Sequence, residues 1–592
     1  MIKRTTKLRL RRTFKRKQKK VESAGVNAEA SIEQHFFRRI SRLTRVRRFV
    51  FSWLILMILL GLGSLIQLRS LNGYYQELKP TEGGVYTEGI VGVFTNANPI
   101  YASGSADSAA AELVFSSLLH YNDQNELVND LAEEVDTNKR GDQYTVRLRK
   151  DVKWHDGTPL TSKDVLFTYR TIQNPDARSP LFLSWRDVKL SAPDDYTIVF
   201  DLPNAFSAFP QSLTNGIVPE HKLADIPVDQ MRGSRFNTVD PVGSGPFEWE
   251  LVEVVGLQQN AREERISLTP NENYHKGSPK LQRFIVRTFR TEELMMDAYN
   301  RGKLNAMVGF NGSVKEIEEI EGAKEMNIPL AGEVMAFFNT SDFPLNQKAV
   351  RQALVSSVNT REAVKVLGYP VVLASGPLIP SQNGYDEKLT QLAYNPQQAV
   401  QRLEKDGWEL NQEGVREKNG AELSFSLTAQ ETDDYAAISN YLQKSWEDIG
   451  VEVDLQLQTD SEIQGSVARH NYQALLYGIG VGSDPDVFAF WHSSQASTRT
   501  AGLNLSEYKN DEVDDALEEG RIRLGDEAQA EKYQDFLKQW RADAPALALY
   551  QPRFLYVTRG DLFNFEPNLL GTPTDRFWNV EDWMIRKELQ VI

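Results

Sequence analysis

The 592-residue chain contains no cysteine. Disulfides, cysteine zinc sites, iron–sulfur clusters and cysteine nucleophiles are therefore excluded. So is a lipid tether on an N-terminal cysteine. Histidine is nearly as scarce. The seven residues, at 35, 120, 155, 221, 275, 470 and 492, form no H-x-x-x-H or H-E-x-x-H pair. A zinc hydrolase has no visible ligand set here, so no metal and no other cofactor is expected. Equally absent are a G-x-x-x-x-G-K-[ST] loop, a G-x-S-x-G elbow and a G-x-G-x-x-G turn after a strand. The one Gly-rich turn, Val242 to Pro246, leads into the strand-like FEWELVEVV and not into a phosphate-cradling helix. Carboxylates abound, but no pair stands out from a solvated surface.

What is present is an ordinary globular composition, 41% hydrophobic and 25% charged. The length suggests about three or four domains or lobes. The net charge of −14 conceals an asymmetry: residues 1–50 carry 17 Lys and Arg against 3 acidic residues, and the other 542 carry 50 against 78. An acidic body is joined to a basic tail.

Between them, Phe49 to Leu68 is 20 residues without a charge. As a helix it spans about 30 Å, the thickness of a bilayer core. Arg42, Arg45, Arg47 and Arg48 precede it and only Arg69 follows closely. The positive-inside rule predicts a single-pass cell-membrane protein with a cytoplasmic N-terminus and an extracytoplasmic body. A cleaved signal peptide is the competing reading. It fits less well, because the segment ahead of the span is long and no A-x-A site follows. The tail RLRRTFKRKQKK has the composition to bind nucleic acid or anionic lipid, but a disordered topogenic tail explains it as well and no nucleic-acid partner is expected.

From Val85 onward, strand-like and helix-like segments mix without a repeat. QYTVRLR alternates apolar and polar residues, and YTIVFDL, LQRFIVRTF and LSFSLTA continue the series. Helical patterns appear at TEELMMDAYNRG, NQKAVRQALVSSV, NPQQAVQRLEKDGW, AAISNYLQKSWEDIG and EAQAEKYQDFLKQWRADA. AAISNYLQKSWEDIG runs straight into VEVDLQLQ, the helix–turn–strand unit of α/β sheets.

The stretch VKWHDGTPLTSKDVLFTYRT, Val152 to Thr171, looks at first like an active site. Physically it reads as scaffold. Asp156-Gly157 favours a tight turn. Thr161 is placed to cap a helix, with Asp164 completing a capping-box variant. Val165, Tyr169 and Ile172 then share one apolar face.

The order of motifs resembles the extracytoplasmic solute-binding proteins of peptide-type ABC transporters, solute-binding family 5. The resemblance is carried by Leu148-Arg149-x-x-Val152-x-Trp154-His155-Asp156-Gly157-x-Pro159 with Asp164-Val165-x-Phe167-Thr168, by PVGSGPFEW, by NQKAVRQALVSSVNTREAV, by GSDPDVFAFWHSSQ and by APALALYQP. It covers Val85 to Ile592. It implies an α/β, two-lobed, periplasmic-binding-protein-like (type II) clamp with an extra subdomain, here preceded by one transmembrane helix. The resemblance does not explain residues 1–84, which composition divides into a basic tail 1–48, a span 49–68 and a linker 69–84; for the body it implies lobe I from 85–118, 240–337 and 546–592, an extra subdomain 119–239, and lobe II 338–545. It implies a non-enzymatic receptor that delivers an oligopeptide or other small solute to ABC permease subunits. A ligand sensor or adhesion module built on the same clamp is the alternative.

The resemblance also implies ligand contacts at Thr95, Asn96 and Asn98 after the first strand, at Ser244 in the Gly-rich turn, and at Tyr477, Ser483, Asp484, Phe488 and Trp491 around Asp484-Pro485-Asp486. Peptide binders of this kind catch the ligand ammonium with an aspartate that aligns with Val481. This chain departs from the pattern there, which leaves the capture to another acid or to a ligand without a free amine.

Overall fold

Two chain segments pass directly from one sheet into another, and the architecture is built around them. The computed structural model describes residues 47–256, 262–309, 322–497, 502–523 and 525–591. The larger of its two units, Pro80–Arg586, contains both sheets. The first has seven strands in the order Ala323–Pro329, Arg553–Arg559, Ala306–Val308, Val85–Val91, Arg283–Phe289, Glu263–Pro270, Phe247–Val255. Val85–Val91 is central and lies parallel to both neighbours. The second has five strands in the order Glu452–Gln458, Ser424–Gln430, Ala474–Gly480, Gly332–Phe338, Ala546–Tyr550. Gly332–Phe338 is buried along its whole length, as a strand covered on both faces must be.

The edge strand Ala323–Pro329 of the first sheet continues, after Leu330-Ala331, as Gly332–Phe338 of the second. Ala546–Tyr550 continues, after Gln551-Pro552, as Arg553–Arg559 of the first. The crossings lie side by side, because the Leu330 N–H donates to the Pro552 carbonyl at 2.8 Å. Two adjacent two-residue crossings between packed sheets have the geometry of a hinge. Gly332–Phe338 and Ala546–Tyr550, nearly all on the lobe I side of the expected boundaries at 337/338 and 545/546, pair in the five-stranded sheet. Both strands are apolar runs, and an apolar run does not say which sheet will bury it. Gly332 fixes the choice sterically, since a Cβ there would lie 2.6 Å from the Ile479 carbonyl oxygen.

A four-stranded antiparallel sheet, Ala132–Thr137, Gln143–Leu148, Thr197–Asp201, Lys189–Asp194, occupies the segment expected as the extra subdomain. Tyr144, Val146 and Leu148 are buried while Arg147 is exposed, as the alternation predicts. The helix Ser162–Ile172 packs on this sheet with Val165, Tyr169 and Ile172 fully buried.

The smaller unit joins the described residues up to Lys79 with those from Lys587 on. It holds the helix Arg47–Tyr75, in which Phe49–Gln67 is long and apolar enough to cross a membrane. The basic tail expected over 1–48 lies, except for Arg47 and Arg48, outside the described residues. The linker expected over 69–84 is largely ordered: the helix runs to Tyr75, and Gln76–Thr81 is a strand paired with Arg586–Val591. A two-stranded ribbon leaves one side of each strand open, which is where Pro80 is tolerated.

Candidate functional site: the cleft around Asp484

The Trp154-His155-Asp156-Gly157 stretch is fully employed in holding the fold together. The His155 Nδ1 accepts from the Gly243 N–H at 3.2 Å and its Nε2 donates to the Gly245 carbonyl at 3.1 Å. That pattern fixes the neutral tautomer, and burial pushes the imidazole down to about 4. Asp156 accepts from the Thr158 N–H at 3.1 Å and pairs with His221 at 2.8 Å and Lys222 at 2.9 Å. Gly157 takes φ +85°, which the tight turn requires. Thr161 and Asp164 form the reciprocal capping box, and Asp164 also accepts from the Glu220 N–H at 2.9 Å. No polar atom of the His155-Asp156 pair is left over for chemistry on a substrate.

The expected site residues separate into two groups. Thr95, Asn96 and Asn98 line none of the cavities described below, because a neighbouring helix takes up the segment. The Thr95 and Asn96 N–H groups donate to Asp107 Oδ1 at 2.7 and 3.1 Å, and the Thr95 hydroxyl donates to Asp107 Oδ2 at 2.6 Å. Asn98 bonds Asn237 at 3.1 Å and accepts from the Ile100 N–H at 3.0 Å. Ser244 is fully buried, in a turn pressed so closely on Val114 that a Cβ at Gly243 would lie 1.8 Å from the Val114 carbonyl oxygen. Trp491 is also fully buried, against Phe337 and Trp540 at ring distances of 5.9 and 5.6 Å. Tyr477 is half-buried on the strand Ala474–Gly480, opposite Met335.

Ser483, Asp484 and Phe488 come together at the cleft. The loop bearing them leaves the strand Ala474–Gly480 beside the hinge, where the Val481 and Gly482 N–H groups donate to the Ala331 carbonyl at 3.0 and 3.1 Å. The buried Gln382 amide is a second clamp, with its Nε2 within 3.2 Å of the Val481 and Gly482 carbonyls and 2.8 Å of the Asp484 carbonyl. Gly482 takes φ +66°, a turn that a larger residue would strain. The Val481 side chain is buried in the apolar cluster with Ala331, Val487 and Trp491.

The two aspartates then have different fates. Each accepts a turn-closing bond, Asp484 from the Asp486 N–H at 2.8 Å and Asp486 from the Phe488 N–H at 3.2 Å. Asp486 also pairs with Arg521, 2.9 Å from Nε to Oδ2. Asp484 makes no ion pair among the described residues. It borders a cavity of about 520 Å³, with Phe206, Gln211 and Arg521, and another of about 440 Å³, with Tyr144, Ser207 and Gln529. Burial pushes its carboxyl up to about 6, and the Asp486 N–H and the Arg521 charge offset only part of that cost. Burial pushes the Tyr121 phenol up to about 12, and the neighbouring Ser483 side chain offsets part of that shift. Among the described residues no cluster of His, Asp and Glu could hold a metal ion.

Sequence reasoning did not find Tyr121, Phe206, Gln211, Gln382 or Arg521. Phe206 and Gln211 come from one stretch and the other three from separate ones, and no spacing in the sequence ties any of them to Asp484.

Two α/β sheets joined by paired crossings, with cavities beside the crossings, have the architecture of a solute-binding clamp. The family model described as bacterial extracellular solute-binding proteins, family 5 Middle, matches residues 126–501. The oligopeptide-binding protein AppA of Bacillus subtilis is 26% identical over 522 residues, covering 86% of this chain and 93% of that protein. Among solved structures, NikZ from Campylobacter jejuni in complex with Ni(L-His) is 25% identical with a TM-score of 0.69, over 84% of this chain and 99% of its own. The ABC transporter substrate-binding protein CtaP from Listeria monocytogenes shares the fold, at 23% identity and a TM-score of 0.73, over 85% of this chain and 100% of its own. The chain belongs to the bacterial extracellular solute-binding proteins of family 5. It is a binding protein, not an enzyme.

Proposed function

We propose that the chain is a membrane-anchored receptor that closes on an oligopeptide outside the cell and hands it to the permease subunits of an ABC importer. One observation carries the reading: Asp484 is a buried carboxylate in the cleft, between two cavities, without an ion pair. A buried charge calls for a partner, and the free amino terminus of a peptide supplies one. Val481 cannot pair with an ammonium, so the cation contact falls three residues on. Ser483 and Phe488 flank it. Tyr477, on a strand of the same sheet, offers a hydroxyl to a ligand that reaches further in. Main-chain hydrogen bonds from the cleft walls hold the rest of an extended peptide independently of its sequence. The relatives support the ligand class, one being named for oligopeptide binding and a structure of it containing a nonapeptide. The apolar segment Phe49–Gln67 provides the anchor.

Calorimetric titration of the detergent-solubilised full chain with a peptide pool, and with the same pool N-acetylated, tests this. Removing one partner of a buried charge pair costs about 2–5 kcal/mol. Asp484→Asn should thus weaken free-amine peptides about 30-fold or more and leave acetylated ones unchanged. Equal affinities for both pools in both proteins would refute the ammonium contact. Resistance to extraction from membranes by alkaline carbonate checks the anchor, and release into the wash would argue for a cleaved leader.

A further inference from the structure

Three cavities follow one another along the cleft. The 520 Å³ space shares Asp484 with the 440 Å³ space, and shares Phe206, Phe488 and Arg521 with a third of about 850 Å³. The two larger spaces are divided by a three-layer stack. The Arg521 guanidinium carbon lies 4.2 Å from the Phe488 ring centroid and 4.9 Å from that of Phe206. Two layers are fixed from the same lobe. Arg521 is held by Asp486, and Phe488 lies face to face on His492, with centroids 3.9 Å apart at 17°.

The third layer comes from the opposite wall. Phe206 sits between the strand Thr197–Asp201 and the turn Phe209–Thr214, and its main chain is pinned. Its N–H donates to the Gly141 carbonyl at 3.1 Å, its carbonyl accepts from the Tyr144 hydroxyl at 2.9 Å, and the Ser207 N–H donates to the Arg521 carbonyl at 3.0 Å. None of these bonds involves the ring. The ring is half-buried against the apolar core, so turning it about its own side-chain bonds forfeits apolar contact as well as the contact with Arg521, while the backbone bonds stay intact.

We propose that the Phe206 ring is a partition that sets the length of ligand the cleft accepts. Seated on Arg521, it ends the inner chamber that contains Asp484. Turned away, it opens that chamber into the 850 Å³ space. The inference rests on the peptide reading above. A short peptide fits with the ring seated. A longer one, which advances about 3.3 Å per residue when extended, must displace the ring and forfeit its contact with the cation. That contact is worth roughly 2- to 30-fold in an equilibrium constant, and the whole penalty falls on long ligands.

The test uses the full chain in detergent and N-terminally free Ala-Ser peptides of three and nine residues, with affinities read by competition. Phe206→Ala should raise the nine-to-three preference about 2- to 30-fold, and Phe206→Tyr, which keeps the ring, should leave it at the wild-type value. Should the alanine variant fold poorly, Phe206→Leu keeps most of the apolar bulk, lacks the ring, and should shift the preference the same way. If wild type binds peptide and neither the alanine nor the leucine variant changes the preference, the partition is overturned and the peptide reading stands. If wild type binds neither peptide, both fall.

Discussion

Replacing Asp484 by asparagine should stabilise the empty protein while weakening its grip on cationic ligands. The carboxyl ordinarily titrates at 3.8 and burial carries it to about 6 in the folded state. At about 1.4 kcal/mol per unit of pKa, that difference is roughly 3 kcal/mol. Partial solvent access to the side chain brings it nearer 2 kcal/mol. Between the two values the folded state holds a proton that the unfolded chain has released, so stability falls as pH rises through that window. The penalty is fully present above about pH 6 and absent below about pH 4. Asparagine keeps an oxygen to accept from the Asp486 N–H and carries no charge, so it removes the penalty at no comparable loss. A body of this size has an unfolding entropy of about 1 kcal/mol/K. The expected gain for Asp484→Asn is thus about 2 °C in melting temperature at pH 8 and none at pH 4. Tryptophan-fluorescence melts of ligand-free protein at several pH values measure it. A bound ligand must first be removed, because it stabilises only the form that binds it. A variant that melts lower than wild type at pH 8, or a difference that does not vary with pH, would refute the reasoning.

Two further outcomes follow from buried charge elsewhere. His155 is held neutral with its titration at about 4, against about 6.5 in the unfolded chain. The unfolded state binds its proton first, so stability is lost as pH falls from about 6.5 toward 4. His155→Gln should flatten that acid limb by up to about 3 kcal/mol in pH-dependent melts and leave ligand affinity unchanged; an unaltered limb would count against the neutral tautomer. In the core of the seven-stranded sheet, Arg576 pairs with the fully buried Glu88, which also accepts from the Tyr556 hydroxyl at 2.8 Å. Arg576→Met strands that carboxylate and should cost about 3–5 kcal/mol, and adding Glu88→Gln should recover most of it; a single-variant loss under 1 kcal/mol would show that the pair is not essential.

The sequence carries local physics well and long-range pairing poorly, and the residues show where the line falls. Thr161 and Asp164 are three apart, and their capping box is readable because both partners lie in one turn of chain. The alternation of Tyr144, Val146 and Leu148 is readable for the same reason: one strand alone decides it. The partners of Thr95 and Asn96 are not readable, because Asp107, on a helix further along, takes up both N–H groups only once the chain has folded. The hinge misleads because Gly332–Phe338 and Ala546–Tyr550 are apolar enough for either sheet, and the close approach of Ile479 to Gly332 cannot be read from residue type.

The cleft is the extreme case. Its wall is an ordinary phenylalanine, an ordinary arginine and a second phenylalanine, and their meaning exists only once the chain has closed. The family motif around Asp484 locates the floor of the site. It is silent on Phe206, which comes from the opposite wall and whose neighbours in sequence, Ala205 and Ser207, give no hint of a role. Phe206 and Arg521 are held by bonds to residues far off in sequence, Gly141, Tyr144 and Asp486, so their placement is invisible to any local pattern. Under the proposed partition, a ring whose backbone is pinned by distant residues would set which ligands fit, so the part of the site hardest to read from the sequence would also be the part that governs what the protein binds.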